Sequence, residues 1–220
     1  MKFFQRKSVL AVLLILFVGV LFSNSDWVGR VLYPIKYEQD IRISAANFQL
    51  DPFLIAAIIR VESNYKTDLR SKKGAIGLMQ IMPQTADWII EQGQFSDMIR
   101  DQLEIPAINI EVGTWYIDSL LKQFDKHIKL KTEEDRIAVI AAAYNAGPGN
   151  VANWLDTRQW DGRLATVGQI PFGETRHYIQ RILYYYKKYS SFYSEVWGIS
   201  AEAKIKVSGK PANSPTAQHL

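Results

Sequence analysis

The sequence predicts an all-α fold, and three observations predict it. From about residue 40 to about residue 195, apolar residues recur at the three- and four-residue spacing of helices. Asp-Pro and Ile-Pro starts and an Ala-Gly-Pro-Gly stop punctuate these runs. No segment alternates apolar and polar residues convincingly enough for a strand, and no repeat of solenoid period is visible. The 220 residues are 48% hydrophobic and 22% charged, enough apolar surface for a real core, which excludes a wholly disordered chain. Cysteine is absent, excluding disulfide staples, a thiol nucleophile, Cys-ligated zinc and a lipoprotein-type anchor.

The first element is an address. Val9 to Phe22 contain no charged or strongly polar side chain, and Lys2, Arg6 and Lys7 flank them on one side. This is the pattern of an export signal, with the basic flank left in the cytoplasm and the following chain outside. Fourteen helical residues reach only about 21 Å, short of the ~30 Å hydrocarbon core. Trp27–Leu32 extend the apolar contact, while Ser23-Asn24-Ser25 offers a cleavage spacing, so anchor and cleaved signal both stand. The net charge of +4 and pI near 9.1 come mostly from this segment. Without residues 1–25 the balance is 23 Lys+Arg against 22 Asp+Glu, which gives no electrostatic case for nucleic-acid binding. The expected organisation is a targeting and juxtamembrane stretch over 1–32, one helical domain over 40–198 and a polar, disordered tail over 199–220.

Four helices organise the domain. The first has Asp51 as N-cap and Pro52 at its first position, then runs from Phe53 to Glu62 with Arg60 the only earlier polar residue, so it is buried nearly all round. The second follows Ile105-Pro106 and carries the stripe Val112, Trp115, Tyr116, Leu120 and Phe124. The third starts at Thr132, with Asp135 as a capping-box partner, and ends at Asn145–Gly149. The fourth runs from Gly173-Glu174 to Tyr189. The small residues of 52–62 and 136–144 predict a close central pairing of those two helices.

Ile55, Ile58, Ile59 and Glu62 share one helical face, so a carboxylate stands at a core-face position in the last turn. Desolvation and the negative end of the helix dipole both disfavour its anion and raise its pKa. A glutamic acid still protonated near neutrality can donate a proton to a leaving oxygen. The competing reading is that Glu62 marks the exposed, polar end of the helix.

Three separated segments bear on the choice. Glu62-Ser63-Asn64-Tyr65 leads into Ser71-Lys72-Lys73-Gly74-Ala75-Ile76-Gly77-Leu78-Met79-Gln80-Ile81-Met82-Pro83; Ala143-Tyr144-Asn145-Ala146-Gly147 and Glu174-Thr175-Arg176-His177-Tyr178 follow. In order and spacing these resemble the catalytic domain of the soluble lytic transglycosylases, relatives of goose-type lysozyme, over about residues 45–190. The resemblance implies a lysozyme-like helical fold with a saccharide cleft. It implies Glu62 as catalytic acid/base, Ser63, Ser71, Gln80, Met82, Tyr144, Asn145, Glu174 and Tyr178 as substrate-side residues, and no cofactor. Thr67 departs from the proline common at its position, but removes no chemical group.

The implied partners are the glycan strands of peptidoglycan and, through the N-terminal segment, the cytoplasmic membrane. The implied reaction cleaves the MurNAc–GlcNAc bond without water and leaves 1,6-anhydro-MurNAc. Most glycosidases use two carboxylates; here Asp68 lies in a polar loop and Glu174 in a dipole-stabilised first turn. A hydrolase of the same fold and a non-catalytic wall-binding scaffold are the alternatives. His127, His177 and His219 are dispersed with no metal-binding spacing, and no nucleophile elbow or phosphate-cradling loop is present. Trp154, Trp160 and Tyr184–Tyr186 read as core before sugar platforms, and Lys72 and Lys73 as a solvated loop.

Overall fold

The computed structural model describes residues 2–23, 26–92, 95–128 and 131–199. Its α-helices are α1 (Lys2–Ser23), α2 (Asp26–Leu32), α3 (Glu38–Phe48), α4 (Pro52–Glu62), α5 (Pro83–Glu91), α6 (Ile99–Gln102), α7 (Pro106–Ile128), α8 (Glu133–Ala146), α9 (Pro148–Asp156) and α10 (Gly173–Tyr193). A 3₁₀ segment, Leu164–Gln169, precedes α10. No strand forms among the described residues; Arg70, Ile76 and Ile81 make isolated bridges within one loop. Most of the expected tail and the Asn24-Ser25 part of the expected cleavage spacing lie outside the described residues.

Caps explain where the central helices begin. Asp51 Oδ1 accepts from the Phe53 N–H at 2.8 Å, and its other oxygen accepts from Tyr186 Oη at 3.0 Å, so one carboxylate caps α4 and ties it to α10. Burial beside that carboxylate raises the Tyr186 phenol and keeps it a donor. Thr132 caps α8 by accepting from the Asp135 N–H, as expected. Asp135 does not complete a capping box, however; its carboxylate accepts from the Leu164 N–H at 2.8 Å and fastens the 3₁₀ segment to α8.

The core is organised around α10. Every α4 residue from Phe53 to Ile59 is buried, and Arg60 places its guanidinium 5.3 Å from the centre of the Tyr185 ring. The expected direct pairing of α4 with α8 is corrected, since α10 packs extensively against both and is their common partner. The reason is side-chain size: α10 brings Tyr178, Ile179, Ile182, Leu183, Tyr186 and Tyr189 inward, and the small residues of α4 and α8 make room for them. Trp154 and Trp160 are buried, as expected of core aromatics, whereas the tyrosine run divides into exposed Tyr184, half-buried Tyr185 and buried Tyr186.

At the N-terminal end, Val9 to Val20 of α1 are exposed, and no helix among the described residues is long and apolar enough to cross a membrane. The short helix α2 lies against α10.

Candidate active site

Glu62 is the last residue of α4, where Ser63 terminates the helix. The Ser63 N–H bonds back to the helix, and its buried hydroxyl donates to the Ile59 carbonyl at 3.2 Å. Ser63 is thus turned into the helix end rather than outward. The Glu62 side chain is partly buried beneath α10. Tyr178 Oη donates to Glu62 Oε1 at 2.6 Å.

The resulting pKa has an ordered set of causes. Burial dominates and moves the Glu62 carboxyl from its ordinary 4.5 to about 7. The Tyr178 hydrogen bond and the Arg181 charge act against this rise, while the Glu174 charge adds to it. Glu62 is therefore about half protonated at neutrality, and with Oε1 accepting from Tyr178 the acidic proton belongs on Oε2. Burial, followed by the Glu62 charge, holds the phenols of Tyr144 and Tyr178 well above the ordinary tyrosine range, so both remain donors.

The loop between α4 and α5 is built by its own polar groups. Ser71 Oγ accepts from the Ala75 N–H at 2.9 Å, and the Ser71 N–H donates to the Ala75 carbonyl. Gln80, in the left-handed region at φ 49°, donates from Nε2 to the carbonyls of Leu69 and Gly77, both at 2.9 Å. These bonds use both hydrogens of its side-chain amide. Met82 is partly buried at the N-cap of α5, and Lys72 and Lys73 are exposed.

From α8, Tyr144 Oη donates to the Met79 carbonyl at 2.8 Å, one residue before Gln80. Asn145 Oδ1 accepts from Thr175 Oγ1 at 2.7 Å, tying the end of α8 to the first turn of α10 beside exposed Glu174. The fold thus joins Glu62 to Tyr178, Tyr144 to the loop, and Asn145 to α10. Ser71 and Gln80 belong to the loop and bond to its backbone, and Met82 stands where the loop enters α5. Asp68 is exposed.

Two residues of this region escape the sequence reading. Asn109 is fully buried on α7, accepts from the Met79 N–H at 2.8 Å and donates to the carbonyls of Leu103 and Ile76 at 2.7 and 3.0 Å. Its signal was a polar residue three positions before Val112 on an otherwise apolar stripe. Arg181 donates to the Val61 carbonyl at 3.4 Å and sets its charge near Glu62. Its signal was spacing, because Glu174, Tyr178 and Arg181 occupy i, i+4 and i+7 of one face.

A family model described as the Transglycosylase SLT domain matches residues 39–166. The chain belongs to this family. The SLT match contains Glu62, the loop and Tyr144, but ends before α10, so Tyr178 reaches Glu62 from a helix beyond it. The soluble lytic murein transglycosylase of Salmonella typhimurium is 37% identical over 176 residues, 78% of this chain and 26% of that protein. The structure of the 70 kDa soluble lytic transglycosylase of Escherichia coli is similar at TM-score 0.64 and 32% identity, covering 74% of this chain and 25% of that one. An inactive mutant of the Pseudomonas aeruginosa lytic transglycosylase Slt gives TM-score 0.62 and 31% identity, covering 76% and 25%. The SLT chain spans about a quarter of the length of the curated relatives it matches. Its helical domain shares its fold with these SLT structures.

Proposed function

We propose that the chain is a peptidoglycan lytic transglycosylase with Glu62 as its single acid/base. One observation carries the reading: a carboxyl raised to about 7 by burial and held by a neutral phenol at 2.6 Å. The family membership and the names of its relatives support it. Glu62 gives its proton to the glycosidic oxygen of the MurNAc-β-1,4-GlcNAc bond as that bond breaks, and the MurNAc N-acetyl group assists at the anomeric carbon. The Glu62 carboxylate then takes the C6 hydroxyl proton as that oxygen closes the 1,6-anhydro ring, which restores the acid. An intramolecular hydroxyl has a high effective molarity, so no second carboxylate is needed to activate water.

The remaining site residues take supporting roles in this proposal. Ser71, Gln80 and Met82 line the glycan path, with Gln80 Oε1 accepting from sugar hydroxyl or amide groups. Asn145 and Glu174 meet the substrate where α8 and α10 join, Tyr144 positions the loop, and Tyr178 orients the acid. Ser63 contributes by ending α4 at Glu62. The domain's proposed extent is residues 40–198, and its place is the outer face of the cytoplasmic membrane, with α1 as anchor or cleaved signal.

Digesting purified glycan strands in heavy-oxygen water tests the reaction. The expected ends are 1,6-anhydro-MurNAc, lighter by one water than hydrolysed ends and free of solvent oxygen. Predominant label at the new ends would overturn the transglycosylase reading in favour of a hydrolase, and no cleavage would favour a scaffold.

A further inference from the structure

The short helix α2 is fastened to the far end of α10. A Cβ on Gly29 would collide with the Phe192 ring, so only glycine permits the approach. Arg30 donates to the Phe192 carbonyl at 3.1 Å. Tyr193 Oη donates to the Tyr33 carbonyl and accepts from the Ile35 N–H, both at 3.1 Å. The Tyr33 ring stacks on Phe192 at 5.8 Å, and its hydroxyl shares a 2.6 Å hydrogen bond with that of Tyr184. The Lys188 ammonium lies 5.5, 5.8 and 5.7 Å from the rings of Tyr33, Tyr184 and Phe192.

The opposite side of α2 is apolar. Trp27, Val31 and Leu32 stand at i, i+4 and i+5 and are 57%, 60% and 64% exposed. Val196, three residues beyond α10, is 60% exposed. Chain length puts this surface close to the end of α1. Only two residues separate Ser23 of α1 from Asp26 of α2, so the helix ends lie within about 11 Å of each other. The uncharged run of α1 reaches about 21 Å, less than the ~30 Å hydrocarbon core, and such a mismatch draws flanking apolar residues to the lipid. Tryptophan and tyrosine favour the headgroup level, and lysine reaches the lipid phosphates.

We propose that α2 and the end of α10 form a surface that rests in the lipid headgroup region and seats the domain on the membrane in a fixed stance. The inference rests on α1 being an anchor rather than a cleaved signal. Tyr178, the α10 partner of Glu62, lies fourteen residues before Phe192, which is about 21 Å along the helix. The seated face and the proposed active site therefore occupy opposite ends of α10, and the domain does not swing on its tether. Its substrate is glycan within a fixed band above the bilayer.

The absence of cysteine makes the test direct. Leu14→Cys, Val31→Cys, Val196→Cys and Lys73→Cys are made singly in the full chain, labelled with a fluorophore and reconstituted. The vesicles are phosphatidylethanolamine and phosphatidylglycerol carrying nitroxide lipid, at the headgroup in one set and mid-chain in another. Headgroup nitroxide should quench the labels at 31 and 196 several-fold more than the label at 73, and mid-chain nitroxide should quench the label at 14. Quenching at 14, with 31 and 196 no different from 73, would overturn the seated face and leave the anchor standing. No quenching at 14 would overturn the anchor and the seated face together. Adding Gly29→Leu should release α2 from Phe192, lowering quenching at 196 to the level at 73 while 31 stays quenched. Persistent quenching at 196 in that variant would show that α2 docking does not set the stance.

Discussion

At Glu62, burial withdraws solvent from the carboxylate, while Tyr178 and Arg181 partly replace it. The balance leaves the proton bound near neutrality, and it has a cost in stability. A carboxyl at about 7 in the folded protein and 4.5 in the unfolded chain favours folding fully below pH 4.5 and loses that advantage as pH rises through 7. At about 1.4 kcal/mol per unit, the shift from 4.5 to about 7 makes the loss roughly 3–4 kcal/mol. Glu62→Gln escapes it, so the variant should match its parent at pH 4 and be more stable at pH 8 by roughly 3–4 kcal/mol in denaturant titrations. It should also lose at least ~10²-fold of its wall-lytic activity, since glutamine cannot cycle a proton. Tyr178→Phe removes a donor that favours the anion, so the Glu62 carboxyl should rise further. The alkaline limb of the kcat/KM profile, expected near pH 7 in the parent, should move to higher pH.

At the scale of elements, the loop between α4 and α5 holds its shape because α7 reaches into it. Asn109 satisfies the Met79 N–H and two carbonyls at once, and Met79 in turn accepts from Tyr144. Gly77 has φ +77°, and a side chain there would strike Asn109, so loop and helix fit only as a pair. Asn109→Ala leaves several buried polar groups unpaired, which costs roughly 2–4 kcal/mol. Thermal melting should fall by roughly 4–16 °C, at ~2–4 °C per kcal/mol for a chain of this size. The variant should also lose lytic activity at temperatures where it remains folded, because Met79 no longer holds Tyr144 and the loop in register.

Across the whole molecule, α10 is the member on which α2, α4 and α8 converge. Its first half meets Glu62 and its end meets α2, so α2 is packed on the body of the protein. Beginning the chain at residue 38 instead of 26 uncovers Phe192 and removes Tyr33 and buried Ile35. That exposure costs on the order of 2 kcal/mol or more. The shorter chain should therefore melt at least ~4 °C below the longer one in calorimetry, while the active-site half of α10 keeps its contacts. Equal melting temperatures would mean that α2 contributes nothing to the fold.

The sequence by itself determined the helical class, the Asp-Pro start of α4, the threonine-capped start of α8, the apolar burial of α4 and the placing of Glu62 on its core face. These are local properties, carried by residues within one or two turns of each other and legible from periodicity and caps. Only the tertiary structure decided that Tyr178 meets Glu62 across 116 residues, that Asn109 supports a loop 30 residues away, and that α10 rather than α8 is the main partner of α4. The same holds for the turn of Gln80 and Ser63 into their own backbone. Contacts of this kind depend on which helices share a face in space, and a hydrophobic stripe states that a face is buried without naming what buries it.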